Sequence, residues 1–173
     1  TQEEVQEEEA VTDDIGELIE SLEIQTKFEF NLPSLHEQVP GIGAGNLVIL
    51  FARPESGKTA FWVNLVGGIQ GFASQGAKVH ALINVKLMDT VDWTLDDVNA
   101  HCEQHKPDIL IIDQLDKVNV VGNFSRTDEK LRAVYTGARE IAKRHDCCVI
   151  AISQASADAH GKTSISFDMM ENS

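Results

Sequence analysis

Apolar positions along the chain follow two kinds of pattern. Short continuous apolar runs bounded by turn residues are typical of buried strands in parallel sheets. Longer segments with apolar residues three and four positions apart are typical of helices that pack one face on a core. The predicted strands are 47–51, 79–83, 85–89, 109–112 and 148–152, and the predicted helices are 59–70, 95–105 and 127–145. Because strands alternate with helices, the pattern predicts an α/β fold with a mainly parallel sheet flanked by helices.

The N-terminal segment has a different composition. Residues 1–24 contain ten acidic residues and no Lys or Arg, and the first eleven residues are typical of a solvated acidic tail. A short helix with one apolar stripe is predicted next, formed by Ile15, Leu18, Ile19 and Leu22. This stripe packs either on its own domain or on a neighbouring subunit. Residues 25–46 are rich in Gly and Pro and are predicted to form a loop, so we divide the chain into an arm with a docking helix, 1–24, and a core domain, 25–173.

Charge and cysteine content limit the binding partners and the cellular compartments that we expect for this chain. The net charge is −14, but the residues after the arm carry 14 basic and 18 acidic side chains and are nearly balanced. A broad basic surface for nucleic acid is therefore not expected, and any DNA contact must come from a few loop residues repeated by oligomerisation. The three cysteines form no CxxC pair and their number is odd, which argues against a disulfide framework or a zinc site and favours the cytoplasm. We also expect neither a membrane span nor a secretory leader.

The strongest chemical signal lies between the first predicted strand and the first long helix. This stretch matches a Walker A phosphate loop, with alanine where the commonest pattern has its first glycine: Ala52, Arg53, Pro54, Glu55, Ser56, Gly57, Lys58 and Thr59. Backbone N–H groups of such a loop surround a phosphate at the positive end of the following helix. Lys58 is expected to reach the β- and γ-phosphates of ATP, Thr59 to bind Mg²⁺, and Gly57 to keep the backbone clear of a side chain.

Two further strands end in polar residues. The run 108–113 is an apolar strand that ends in Asp113, the Walker B arrangement, and Asp113 is expected beside the phosphate loop as a Mg²⁺ ligand. The run 149–154 ends in Ser153 and Gln154. Gln154 is expected at the same sheet edge, within reach of a γ-phosphate or the attacking water. The alternative for Gln154 is a strand-end residue that faces solvent.

The order of these motifs resembles that of the DnaB-type replicative helicases. The segment LVILFARPESGKTAFWVNLV is similar to the Walker A segment of that family, whose loop typically reads ARPxxGKTA, and DILIIDQLDKV is similar to its Walker B strand. MDTVDWTLDDVNAH resembles the family's segment before Walker B, and the stretch 126–154 resembles its long helix followed by a strand ending in Ser-Gln. The resemblance covers roughly residues 25–160. The compact, divergent version of the motifs is typical of a phage or plasmid replication protein.

The resemblance implies a function and a set of partners. The fold is then a RecA-like core. The protein then uses ATP and Mg²⁺, hydrolyses the nucleotide at the subunit interfaces of a hexameric ring, and moves on single-stranded DNA. Gln154 is then the residue that senses the phosphate, and the arm's helix is the linker that docks on the next subunit. Primase or other replisome proteins are possible partners. A RecA-like strand-exchange protein and a non-catalytic nucleotide-binding accessory protein remain alternatives.

Two features depart from the family pattern. The family's second strand ends in a catalytic glutamate, whereas here the strand 79–83 is followed by Asn84, Val85 and Lys86. The number of residues between Asn84 and Asp113 is also too small for a core that includes another strand and its crossover. We therefore predict a missing segment between Asn84 and Val85. The chain ends at Ser173, where the family continues, and we expect it to be part of a helicase core.

Overall fold

The computed structural model describes residues 27–39, 41–53, 55–83, 93–122, 124 and 126–154. The predicted arm and docking helix, 1–24, lie outside these residues. So do Pro54 and the predicted strand 85–89. The gap predicted between Asn84 and Val85 also falls on residues that are not described, and it stays a prediction.

The described residues form six strands, four α-helices and one 3-10 helix. In chain order these are β1 (Phe28–Glu29), α1 (Pro33–His36), β2 (Gly41–Ile42), β3 (Leu47–Ala52), α2 (Lys58–Gly67), β4 (Val79–Leu82), α3 (Leu95–His105), β5 (Ile109–Asp113), the 3-10 helix Leu115–Lys117, α4 (Thr127–Arg144) and β6 (Cys148–Gln154).

The main sheet is parallel and has the strand order β3-β6-β5-β4. Helices cover both faces, so the predicted α/β class is confirmed. Strand β6 pairs with β3 on one side, where Ala52 lies opposite Gln154, and with β5 on the other, where Asp113 lies opposite Ile152. The carboxyl ends of β3, β5 and β6 therefore reach the same edge of the sheet, which is where parallel α/β folds bind ligands.

The segment 25–46 is more structured than predicted. It contains β1, α1 and β2, and the two short strands pair antiparallel with Phe28 opposite Ile42. Both side chains are buried, as is Phe72, whose ring lies edge-on to Phe30 at a centroid distance of 5.7 Å. The prediction of a loop was wrong because Gly and Pro content marks turns, while the anchoring apolar residues are too widely spaced to show a strand period.

Two cores lie on opposite faces of the main sheet. One face packs against α3 and α4 through Val98, Val134 and Ala138. The other packs against α2 and the β1–β2 pair through Trp62 and Leu65. All three cysteines are buried as free thiols, and burial raises the pKa of Cys148 to about 12. Among the described residues, no helix has the length and apolar content needed to span a bilayer.

Helix α3 connects β4 to β5 and begins with a capping box. The Thr94 hydroxyl accepts a hydrogen bond from the backbone N–H of Asp97, and the Asp97 carboxylate accepts one from the backbone N–H of Thr94. This reciprocal pair satisfies two N–H groups that would otherwise lack partners at the helix start. It fixes where the helix begins, and β4 and β5 lie side by side in parallel register.

Three histidines form a cluster between β4 and α3. The Nδ1 atom of His80 lies 3.0 Å from Nε2 of His101, and the ring of His105 is 4.5 Å from that of His101 between centroids. Burial lowers the pKa of His80, and the nearby Lys78 and His105 lower it further. Burial also lowers the pKa of His101, with added repulsion from His105 and His80.

We expect the histidine cluster to make the fold acid-sensitive. The pKa values of His80 and His101 are lower in the folded state than the ordinary 6.5. As pH falls through that value, the unfolded chain therefore binds more protons than the folded chain does. The free energy of unfolding should therefore decrease on acidification. Denaturant unfolding at pH 8.0 and 5.5 should show this decrease, and His101→Gln should reduce the difference between the two pH values. An unchanged difference in the variant would contradict the role of the cluster.

Candidate functional site: a phosphate loop at the carboxyl edge of the sheet

The loop between β3 and α2 turns sharply through left-handed backbone. Gly57 has φ +85°, and Glu55 has φ +57°. A side chain at Gly57 would be strained by this φ, and an added Cβ would meet no atom within 4 Å. The Ser56 hydroxyl donates a 2.7 Å hydrogen bond to the Arg53 carbonyl oxygen and so closes the turn. The space in front of Gly57 is therefore open, as a bound phosphate requires.

Helix α2 starts at the loop with its N-terminus available. Its N-cap residue is Gly57, no side chain caps the helix start, and its first turn contains no acidic residue. The first N–H groups of a helix have no partner within the helix and carry partial positive charge. Thr59 is exposed in this first turn. The loop and the helix start thus have the geometry of an anion site, and the residues present fit a phosphate group.

Lys58 is folded back onto the loop. Its Nζ atom donates hydrogen bonds to the carbonyl oxygens of Arg53 at 2.9 Å and Ala52 at 3.3 Å. Burial lowers the pKa of Lys58, and the negative charges of Asp113 and Asp116 oppose this decrease. The ammonium group has thus lost part of its hydration, and a phosphate that replaced the two carbonyl groups would provide a stronger, charged partner.

Asp113 is the last residue of β5 and is half-buried. Burial raises its pKa, the positive charge of Lys58 lowers it, and the negative charge of Asp116 raises it. The carboxylate therefore lies within electrostatic range of Lys58, on the far side of β6 from the phosphate loop. A half-buried carboxylate at this edge fits the oxygen ligands that Mg²⁺ prefers.

Gln154 is the last residue of β6 and is half-buried. Its position opposite Ala52 places it next to the start of the phosphate loop. The fold therefore brings three of the residues singled out from the sequence, Lys58, Asp113 and Gln154, to one edge of the sheet. Their roles in binding and hydrolysis remain predictions.

The end of β4 also lies near Asp113. Leu82 and Ile83 line a small cavity together with Asp113 and Trp93. The resemblance to the helicase family places a catalytic glutamate at this strand end, whereas the described residues of β4 and Ile83 contain no acidic side chain there. Asn84 and the residues up to 92 lie outside the described part of the chain.

Asp116, which was not predicted from the sequence, also lies at this site. It lies in the 3-10 helix after β5, and its Oδ1 atom accepts a 3.2 Å hydrogen bond from the hydroxyl of Ser153. Ser153 had been noted only as the neighbour of Gln154. A serine within the otherwise apolar strand β6, together with an acid three residues after Asp113, was the available signal.

Comparison with known proteins identifies the fold. The sequence matches no protein-family model and no curated protein. Among solved structures, it matches that of a DnaB-like replicative helicase, described with its interactions with primase, at a TM-score of 0.71 and 17% identity over 94% of this chain. A second match is an ATPase domain, at a TM-score of 0.67 and 16% identity over 94% of this chain and 79% of that one.

The chain has the fold of a DnaB-type helicase ATPase core. It spans 54% of the DnaB-like helicase that it matches. The RecA-like architecture implied by the sequence motifs is therefore confirmed. Within the DnaB-type fold, the phosphate loop, Asp113 and Gln154 lie at the ends of three neighbouring strands.

Proposed function

We propose that this protein is the ATP-hydrolysing motor of a replicative DNA helicase. The observation that carries the proposal is the meeting of Lys58, Asp113 and Gln154 at the carboxyl edge of a sheet with the DnaB-type fold. The loop geometry supports phosphate binding, and the opposite charges of Lys58 and Asp113, which lie within electrostatic range of each other, support a nucleotide held together with a metal ion.

Each part of the site has a distinct task in this proposal. The loop 52–59 and the start of α2 hold the phosphates of ATP, and Lys58 contacts the β- and γ-phosphates. Thr59 and Asp113 hold Mg²⁺, which when bound offsets the negative charge that develops on the phosphates. Gln154 contacts the γ-phosphate or the attacking water. Positioning and charge stabilisation then provide most of the catalysis.

DNA binding and ring formation belong to the same proposal. Of the basic residues that follow β5, Arg126 pairs with Asp128 at 2.9 Å, and Lys130 donates a 3.3 Å hydrogen bond to Asn119, while Lys117 is exposed. A further candidate, Lys162, lies outside the described residues. Such isolated charges bind DNA weakly in one subunit, since affinity grows with the number of phosphates neutralised. We therefore propose a homo-oligomer, a hexameric ring, that aligns them around single-stranded DNA. The arm's helix docks neighbouring subunits, and primase or other replisome proteins are candidate partners.

One observation favours a second function. The described end of β4 has no acidic side chain where the helicase family has its catalytic glutamate. A protein that lacks this group and has no carboxylate in its place binds nucleotide without hydrolysing it, as a non-catalytic subunit would. The two functions differ in turnover and not in affinity for ATP.

The experiment measures ATP turnover and duplex unwinding by the full-length protein. We expect Mg²⁺-dependent turnover that single-stranded DNA stimulates, and unwinding of a fluorescently labelled forked duplex. Removal of Mg²⁺ with EDTA should stop both reactions. Nucleotide binding without turnover would identify a non-catalytic subunit. Strand exchange between homologous DNAs without unwinding would identify a recombinase of the same fold.

A further inference from the structure

We propose that Asp116 is the carboxylate that orients the attacking water during ATP hydrolysis in this protein. The inference rests on the proposed ATPase function. In the helicase family the corresponding carboxylate comes from the end of the second strand of the core. In this chain that strand is β4, and the described residues at its end include no acid. Asp116 reaches the same edge of the sheet from a different element, the 3-10 helix that follows β5.

The backbone directs Asp116 toward the site. Directly after Asp113, Gln114 adopts a left-handed conformation with φ +63°, which ends β5 and starts the 3-10 helix. Leu115 is fully buried, and the N–H of Lys117 donates a 3.0 Å hydrogen bond to the Gln114 carbonyl oxygen. A non-glycine residue with positive φ costs free energy and persists where the surroundings hold it. This turn therefore holds Asp116 in a fixed position.

A buried hydroxyl orients the carboxylate. Ser153 is 2% exposed, and its hydroxyl donates to Oδ1 of Asp116 at 3.2 Å. Ser153 directly precedes Gln154, so Asp116 is tied to the strand that ends in the proposed phosphate-sensing residue. The bond uses one carboxylate oxygen, Oδ1, and the second oxygen, Oδ2, is the candidate acceptor for a water.

The charge of Asp116 acts on the site. It raises the pKa of both Lys58 and Asp113, so the carboxylate lies within electrostatic range of both groups. Among the described residues, the two close ion pairs are Lys27 with Asp108 and Arg126 with Asp128, and neither includes Asp116. The negative charge at Asp116 is therefore not used in a structural ion pair within this part of the chain.

The proposed hydrolysis is an attack of water on the γ-phosphate of ATP. The water donates a hydrogen bond to Oδ2 of Asp116, and its oxygen forms a bond to the γ-phosphorus. The bond between that phosphorus and the bridging oxygen breaks, and its electron pair leaves with ADP. The proton lost by the water passes to Asp116 and then to solvent, so the carboxylate is restored.

The test compares Asp116→Asn with the wild type in the full-length protein. We expect kcat to decrease by about 100-fold or more, the range for loss of a general base, while the Kd for a non-hydrolysable ATP analogue with Mg²⁺ changes by less than about twofold. Asp96→Asn, an exposed acid in the first turn of α3, is the matched control and should change neither quantity. Ser153→Ala keeps the carboxylate and should lower kcat less than Asp116→Asn does.

Several outcomes would overturn the inference. A kcat for Asp116→Asn within about twofold of wild type would exclude Asp116 while leaving the proposed ATPase intact. Equal losses in Ser153→Ala and Asp116→Asn would show that Asp116 acts only through that serine. If Asp116→Asn fails to fold, Asp116→Glu decides, because turnover that survives with a displaced carboxylate supports the role and a folded, inactive variant contradicts it. A wild-type protein without turnover would overturn both the ATPase and the role of Asp116.

Discussion

Replacing Lys58 with alanine should reduce ATP turnover by about 100-fold to 1000-fold, the usual cost of removing one preorganised donor from a developing negative charge. Lys58 is hydrogen-bonded to the phosphate loop, since its Nζ atom contacts the carbonyl oxygens of Ala52 and Arg53. Burial has already removed part of its hydration. Its interaction with phosphate is therefore stronger than that of a fully solvated lysine, and alanine removes it altogether.

The effect on nucleotide binding separates this loss from unfolding. Lys58→Ala should also weaken binding of a fluorescent ATP analogue, while the circular dichroism spectrum stays that of the wild type. Lys143→Ala removes one exposed positive charge from the last turn of α4 and is the matched control. Wild-type turnover in a folded Lys58→Ala protein would exclude the loop 52–59 as the phosphate site.

The central strands β5 and β6 of the main sheet could be predicted from the sequence because they are buried on both faces. Ile109 to Ile112 are nearly inaccessible to solvent, and the same is true of most of β6. Such strands appear in the sequence as continuous apolar runs, which can be recognised without knowing which strands lie beside them. The phosphate loop could be predicted for a related reason, since its chemistry depends on residues adjacent in the chain.

The parts that could not be predicted depend on contacts between distant residues. The β1–β2 pair forms because Phe28 and Ile42 are buried together, although fourteen positions separate them in the chain. Asp116 is held at the carboxyl edge of the sheet by the left-handed turn at Gln114 and by a hydrogen bond from Ser153, which lies 37 positions further along the chain. Neither the left-handed turn nor the partner serine follows from local composition.

At the sheet edge, the charges of Lys58 and Asp113 do not fully compensate each other's burial. Lys58 and Asp113 are both partly desolvated, and for each the burial effect on the pKa is larger than the attraction of the other. Asp116 adds a second negative charge near Asp113. A metal ion between carboxylates and phosphates would offset these costs, and the fold without ligand bears them.

Asp113→Asn should therefore have opposite effects on activity and stability. Turnover should decrease by about 100-fold, because losing a metal ligand removes several kcal/mol of charge stabilisation and each 1.36 kcal/mol changes the rate tenfold. The free energy of unfolding at pH 7 without Mg²⁺ should instead increase slightly. The pKa of Asp113 is raised above 3.8 in the folded state, so the ionised carboxylate destabilises the fold at every pH above that range, and asparagine carries no such charge.

The stability effect of Asp113→Asn should depend on pH and on ligand. Wild type and variant should approach equal stability as pH falls through the raised pKa of the folded Asp113 carboxyl group and below the ordinary 3.8, where that group is protonated in both states. Mg²⁺ with an ATP analogue should raise the thermal midpoint of the wild type more than that of the variant, since ligand binding stabilises only the state that binds it. Thermal unfolding with and without ligand measures both effects, and Asp96→Asn controls for the loss of an exposed charge. One result would contradict this prediction: a variant that is less stable than wild type without ligand, and whose thermal midpoint rises as much with Mg²⁺ and the analogue. Asp113 would then stabilise the fold and would not bind the metal.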